Sequence, residues 1–280
     1  MSILNNKKII FIGGGNMAQA LISGLLARGV AASCVTVSDP SADIREQLTD
    51  KGLESVDPVG DADTARAAVK SAHIVILAVK PQVMKAVVSG FADVLNEQLV
   101  ISVAAGLSTK NLTDMLQGYP TIVRAMPNTP AMIQMGATGL YAGSAVSDAQ
   151  RQLAFEVMAA SGLVLWVEDE EHMHAVTAVS GSAPAYFFYF IESMIEGAVE
   201  LGLDRKQAAA LAMQTALGAA QMSIASDETP EQLRKKVTSP NGTTQAAIES
   251  MQANHIGEHI QDAMRACYER SQALSAEMDD

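Results

Sequence analysis

Two short segments in the C-terminal half concentrate side chains able to hold a small polar ligand. The first runs Thr177-Ala178-Val179-Ser180-Gly181-Ser182-Ala183-Pro184-Ala185-Tyr186, where hydroxyls and a glycine precede a proline suited to the first turn of a helix. The second, Val237-Thr238-Ser239-Pro240-Asn241-Gly242-Thr243-Thr244, is again a hydroxyl-rich turn leading into a helical pattern. Either alone reads equally well as a capping turn. Together they point to a small anion gripped by hydroxyls and helix-end amides. Neither contains a carboxylate or a metal-ligand spacing, so no metal site is expected. His172 and His174 come just before the first segment, but a spacing of two puts them on different faces of a helix.

A third chemical feature lies near the N-terminus. Ile9, Ile10, Phe11 and Ile12 form a short apolar run, Gly13, Gly14 and Gly15 follow at once, and a helical pattern opens at Asn16 and Met17. Strand, glycine turn and helix in that order are the context expected of a nucleotide site. Gly13 permits the tight turn, Gly15 lets backbone amides approach a pyrophosphate, and Ala18 takes the small position where helix packs on strand. The helix N-terminus offers unpaired N–H groups to phosphate. A second strand, residues 35–38, ends at Ser38 and Asp39, about twenty residues on, where an acid can accept from a ribose hydroxyl. The strands at 74–79 and 99–103 end in Lys80-Pro81 and in Ala104-Ala105-Gly106, the loop rim where open α/β sheets bind ligands.

The elements that must position these groups alternate in type up to about residue 165. Helical patterns at 16–28, 43–51, 64–70, 82–88 and from Ser108 separate apolar runs at 74–79, 99–103 and 121–125, and a last strand covers 163–167. This predicts a Rossmann-type doubly wound α/β fold, a parallel sheet covered on both faces, in residues 1–165. Residues 166–280 read as an all-α domain, with helices over 185–201, 205–225, 230–237, 243–252 and 257–276. The run 208–220 is small and apolar on nearly every face, which marks a buried helix. So few residues cannot bury that surface alone, so a second copy of the chain is expected against it. The aromatic run Tyr186 to Phe190 belongs to the same core or dimer interface.

A net charge of −12 argues against nucleic acid or an anionic membrane as partner. The longest uncharged stretch, 125–147, contains Pro127, Pro130, Gly136, Gly139 and Gly143, so it is no membrane helix. Residues 1–30 lack the long apolar core of a signal peptide. The two cysteines, Cys34 and Cys267, match no metal or redox spacing and suit a reducing cytoplasm.

Gly13-Gly14-Gly15-Asn16-Met17, Ala78-Val79-Lys80-Pro81, Arg124-Ala125-Met126-Pro127-Asn128-Thr129-Pro130-Ala131 and the two hydroxyl-rich segments, taken in order, resemble pyrroline-5-carboxylate reductase. The resemblance implies an enzyme that makes proline by hydride transfer from NADPH or NADH to the C=N bond of 1-pyrroline-5-carboxylate. It also implies a homodimer interlocked through the helical domain, often built into a decamer. It assigns Ile12, Gly13, Gly14, Gly15, Asn16, Met17, Ala78, Val79, Lys80, Pro81, Val103, Ala104, Ala105 and Gly106 to the cofactor, with Met126, Pro127 and Asn128 near the nicotinamide. Ser180, Gly181 and Ser182, with Gly242, Thr243 and Thr244 from the partner chain, would cradle the substrate carboxylate, and Thr177 would hydrogen-bond the ring nitrogen. A cyclic imine enters already protonated, so positioning matters more than proton transfer.

Two positions depart from the family pattern: Ala183 and Asn241 stand where glycines are usual. Asn tolerates left-handed backbone better than most residues, so that loop can keep its shape. Cofactor choice stays open: Asp39 favours NADH, Ser38 and Ser41 could serve a 2′-phosphate, and the resemblance leans to NADPH. The competing readings are a hydroxyacid dehydrogenase, which needs a base such as a lysine in the helical domain, and a non-catalytic NAD(P)-sensing dimer. Lys206, Lys235 and Lys236 are the only lysines past residue 110, and all are expected to face solvent.

Overall fold

The computed structural model describes residues 3–278, so the outermost residues of the two expected domains lie outside it. The strands are β1 (Ile9–Ile12), β2 (Val35–Ser38), β3 (Glu54–Val56), β4 (Ile74–Leu77), β5 (Leu99–Ser102), β6 (Ile122–Met126), β7 (Gly136–Ala142) and β8 (Gly162–Trp166). The helices are α1 (Asn16–Ala27), α2 (Ala42–Thr49), α3 (Ala62–Ser71), α4 (Pro81–Val88), α5 (Thr109–Met115), α6 (Asp148–Ala159), α7 (His172–Val176), α8 (Ala183–Glu200), α9 (Arg205–Ala225), α10 (Pro230–Lys236), α11 (Thr243–Ala253) and α12 (Ile256–Ala276). A π-helical turn, Thr177–Gly181, follows α7 directly.

The strands form one sheet in the order β3-β2-β1-β4-β5-β6-β7-β8. Strand alternation divides the sheet's apolar residues between two cores. Ile9, Phe11, Ile74, Ile76, Leu99 and Ile101 pack on one face, and Ile10, Ile12, Val75, Leu77 and Val100 on the other. The parallel register aligns Ile12, Leu77, Ser102 and Arg124 across neighbouring strands, so the loops after β1, β4, β5 and β6 share one edge. That edge is where a doubly wound sheet binds ligands.

The sheet is not wholly parallel. A 3₁₀ turn, Thr129–Ile133, reverses the chain and β7 runs antiparallel to β6, while β8 pairs parallel with β7 after the α6 crossover. The glycines of 136–143 counted in the sequence only against a membrane helix, yet two of them are required by close packing. A Cβ on Gly139 would stand 2.6 Å from Val176 Cγ1, and one on Gly136 would stand 2.9 Å from the Ser161 carbonyl oxygen.

The chain divides into two compact units, Met1–Ser182 with Cys267–Asp280, and Ala183–Ala266. The sequence alone puts the boundary at 165/166, where the last strand ends. In the structure α7, the π turn and the C-terminal segment all stay with the sheet. The Ser275 hydroxyl donates to the Gly106 carbonyl at 2.8 Å, and buried His174 meets Ser271 Oγ at 2.9 Å. The second unit is helical, and within the single chain it exposes Phe187, Phe188, Tyr189, Leu211 and Met213. An apolar groove of about 390 Å³ runs between α8 and α9, lined by Phe188, Ile191, Ile195 and Met213 and rimmed by the Glu196–Arg205 pair.

Candidate active site

The glycine turn is shaped by contacts on every side but one. Gly13 has φ +99, and a Cβ there would meet the Ala78 carbonyl oxygen at 2.8 Å and Val79 Cγ1 at 2.9 Å. Gly14 is packed against Ile44, which a Cβ would approach to 2.6 Å. Gly15 instead faces open space, with nothing within 4 Å of a Cβ. It caps α1 with no side-chain partner for the helix amides and no acidic residue in the first turn. Free N–H groups above an open cradle fit a pyrophosphate. Lys80 and Pro81 open α4, with exposed Lys80 as its N-cap, and Val103 to Gly106 form the next loop along the rim.

Asp39 is turned into this turn. Its carboxylate accepts from Gly14 N at 2.8 Å and from Ser41 N at 2.9 Å, and the residue is 7% exposed. Ser38 is buried at the end of β2, and Ser41 caps α2 by accepting from Ile44 N. The Arg45 guanidinium donates to the Asp39 carbonyl and pairs with Asp57 at 2.9 Å.

Farther along the same edge, Met126, Pro127 and Asn128 leave β6. Asn128 Oδ1 accepts from Ala137 N at 2.9 Å, and Asn128 Nδ2 donates to the Ser180 carbonyl at 3.0 Å. Met126 lies over Gly181, where a Cβ would meet its Cε at 2.5 Å. The π turn carrying Thr177, Ser180 and Gly181 is thus held against the strand rim, with Ser182 next in chain. Within it the Thr177 hydroxyl donates to the Met173 carbonyl and the Ser180 hydroxyl to the Val176 carbonyl, both at 2.9 Å. Ser182 Oγ accepts from the Cys267 thiol at 3.3 Å, which leaves its own O–H available. Gly242, Thr243 and Thr244 open α11 in the second unit; Gly242 is the N-cap, without a side-chain partner for the helix amides. Asn241 has φ +58, the left-handed conformation expected for a residue in place of glycine.

A cluster behind the rim joins Arg124, the first residue of the 124–131 motif, to residues outside every motif. Buried Arg124 pairs with Glu170 at 2.7 Å, and Glu170 also accepts from Thr109 N and Thr109 Oγ1, each at 2.6 Å. It ties β6 to the start of α5 and to the approach of α7. His172 is exposed and His174 buried, where loss of solvation pushes its pKa down from 6.5, with Glu171 opposing. Neither histidine belongs to a shared site. Among the described residues no cluster of histidine, cysteine or acidic side chains could hold a metal ion.

Comparisons with known proteins agree with this layout. A family model described as pyrroline-5-carboxylate reductase dimerisation matches residues 170–274, and one described as NADP oxidoreductase, coenzyme F420-dependent, matches residues 8–106. The chain is 46% identical over 276 residues to a pyrroline-5-carboxylate reductase of Pseudomonas aeruginosa, covering 98% of this chain and 99% of that one. It belongs to the pyrroline-5-carboxylate reductase family. A Pasteurella multocida reductase is 44% identical over 96% of this chain and 98% of its own length. The Coxiella burnetii reductase structure superposes with a TM-score of 0.90 at 40% identity, covering 97% of this chain and 99% of that one. A Plasmodium falciparum pyrroline carboxylate reductase with NADP bound gives 0.84 at 27% identity over 97% and 99%. Family membership accounts for the exposed apolar faces of α8 and α9, which lie in a self-associating domain. The hydroxyacid dehydrogenase reading loses its base: Lys206, Lys235 and Lys236 are all exposed, and the last two pair with Glu231 and Glu228. No described helix is long and apolar enough to cross a membrane.

Proposed function

We propose that the protein reduces 1-pyrroline-5-carboxylate to proline with NADPH or NADH, in the cytoplasm, as a homodimer that assembles further into a decamer. The observation that carries the reading is the hydroxyl-bearing π turn pinned by Asn128 and Met126 to the sheet edge that bears the glycine turn. When bound, the reduced nicotinamide supplies the hydride; the chain's task is to hold a ring across from it. The amides of Gly15, Asn16 and Met17 bind the pyrophosphate, and Ala78 to Pro81 with Val103 to Gly106 flank the dinucleotide.

Thr177 meets the ring nitrogen. Because its proton is engaged by Met173, its remaining lone pairs suit an N–H donor, so the substrate binds as the iminium. Hydride adds to the ring carbon, the C=N π pair moves onto nitrogen, and the amine leaves with the proton it brought. Ser182 donates its free O–H to the substrate carboxylate, aided by Ser180, Gly181 and the α11 amides at Gly242, Thr243 and Thr244 of a second copy. Oxidation of reduced nicotinamide with the imine, against a panel of hydroxyacids, tests the reading. Turnover of the imine alone is expected; no turnover of the imine with either cofactor removes it.

A further inference from the structure

In an α-helix the carbonyl of Ser180 would accept from the N–H of residue 184. That residue is Pro184, which has none. The chain widens into a π turn here, with Ser182 N donating five residues back to the Thr177 carbonyl at 2.9 Å. π turns of this kind recur at functional sites. A partly buried carbonyl without a donor is costly, and something outside the helix must satisfy it.

Asn128 does so. Its amide is oriented without ambiguity: Ala137 N can only donate, so Oδ1 faces it, and the Ser180 carbonyl can only accept, so Nδ2 faces that. Asn128 is 8% exposed. Both principal hydrogen-bonding directions of the amide are therefore committed to backbone, one at Ala137 in β7 and one on the π turn. Met126, two residues earlier, packs on Gly181 from the same strand end.

We infer that Asn128 is a positioning residue that supplies the donor Pro184 lacks, and so sets where Thr177, Ser180 and Gly181 stand relative to the sheet rim. Its effect falls chiefly on the imine, through the π turn. This rests on the reading that the π turn holds the imine. Aspartate at 128 keeps the acceptor for Ala137 but turns a carboxylate oxygen toward the Ser180 carbonyl. Alanine removes both bonds without adding charge.

The experiment compares the parent with Asn128→Asp and Asn128→Ala in imine kcat/KM, dissociation constant for reduced cofactor, and hydrogen exchange by mass spectrometry. Imine kcat/KM should fall at least about tenfold in both, as for loss of one buried hydrogen bond. Because Asn128 also stands near the expected nicotinamide position, cofactor affinity is measured alongside, and the loss in imine kcat/KM should exceed any loss in cofactor affinity by at least about fivefold. Exchange over residues 177–183 should quicken while the glycine turn is unchanged. A merely structural role would lower stability and spread faster exchange over both peptides. A loss confined to cofactor affinity, or parental kcat/KM in both variants, overturns the inference. If the parent itself leaves the imine untouched, the proposed function fails instead, and the exchange pattern still decides whether Asn128 holds the turn. Where a variant is too unstable to assay, Asn128→Ala is placed in a Pro184→Ala background. There residue 184 can donate to Ser180, so the stability loss from the alanine should shrink; an unchanged loss counts against the proposal.

Discussion

Replacing Gly13 and Gly15 separately by alanine should divide folding from binding within one turn. At Gly13 the new methyl meets backbone, at 2.8 Å from the Ala78 carbonyl oxygen, with φ at +99. A left-handed L-residue costs roughly 1–2 kcal/mol, and overlap with packed neighbours adds roughly 1–3 kcal/mol. The sum, about 2–5 kcal/mol, corresponds to a fall in Tm of roughly 4–20 °C for a unit of this size. At Gly15 the backbone, φ −68 and ψ −176, is ordinary for alanine and no atom lies within 4 Å. Losing some N-cap preference is offset by reduced unfolded-state entropy of about 0.4–1 kcal/mol, so Tm should hold within roughly 2 °C. The methyl occupies the phosphate's approach, and loss of one charged hydrogen bond, roughly 1.5–3 kcal/mol, weakens Kd about ten- to a hundredfold. Calorimetric scans of the ligand-free proteins and titration with reduced cofactor give the four numbers. A Gly15→Ala protein with parental cofactor affinity would refute the pyrophosphate placement; a Gly13→Ala protein with parental Tm would refute the packing argument.

Glu170→Gln leaves the Arg124 guanidinium, 8% exposed in its side chain, without its carboxylate and should cost about 3 kcal/mol, read from the urea midpoint at constant m. His174 has a folded pKa below 6.5 because burial disfavours its charge, with Arg124 acting in the same direction and Glu171 and Glu170 opposing. The stability it contributes is present above pH 6.5 and is lost as pH falls through that value toward the lower folded pKa. A His174→Asn protein should therefore lose less stability than the parent between neutral and mildly acid pH, and parallel curves would refute the assignment. Asp39→Ser removes the carboxylate proposed to accept from the ribose and should move the ratio of kcat/KM toward NADPH by about tenfold, ~1.4 kcal/mol; an unmoved ratio places the 2′ position elsewhere.

The rim loops were readable in sequence because each has a local cause. Glycine, proline and small residues at strand ends announce themselves whatever surrounds them, and the strand–turn–helix order around Gly13 needs no distant partner. Helices α8 and α10 to α12 were legible from periodicity, α9 from its run of small apolar helix formers, and Asn241 from its tolerance of positive φ. β7 was not legible, since 136–142 mixes glycines with apolar residues and only pairing with β6 and β8 makes it a strand. The sheet's attachment of 267–278 was also hidden, although Ser271 and Ser275, four apart on α12, mark the polar points where that helix meets His174 and Gly106.

Residue type and spacing by themselves determined which segments could bind phosphate, which could bind a small anion, and that the helical half would seek a partner. These follow from backbone freedom, hydrogen-bonding inventory and apolar period, all properties of a few adjacent residues. Only the tertiary structure decided which acceptor each donor reaches. Gly14 and Ser41 donate to Asp39, Arg124 and Thr109 to Glu170, and Asn128 to Ser180, pairings as many as 61 residues apart. Such pairings depend on how strands are ordered and how closely helices approach them, and no local pattern encodes either.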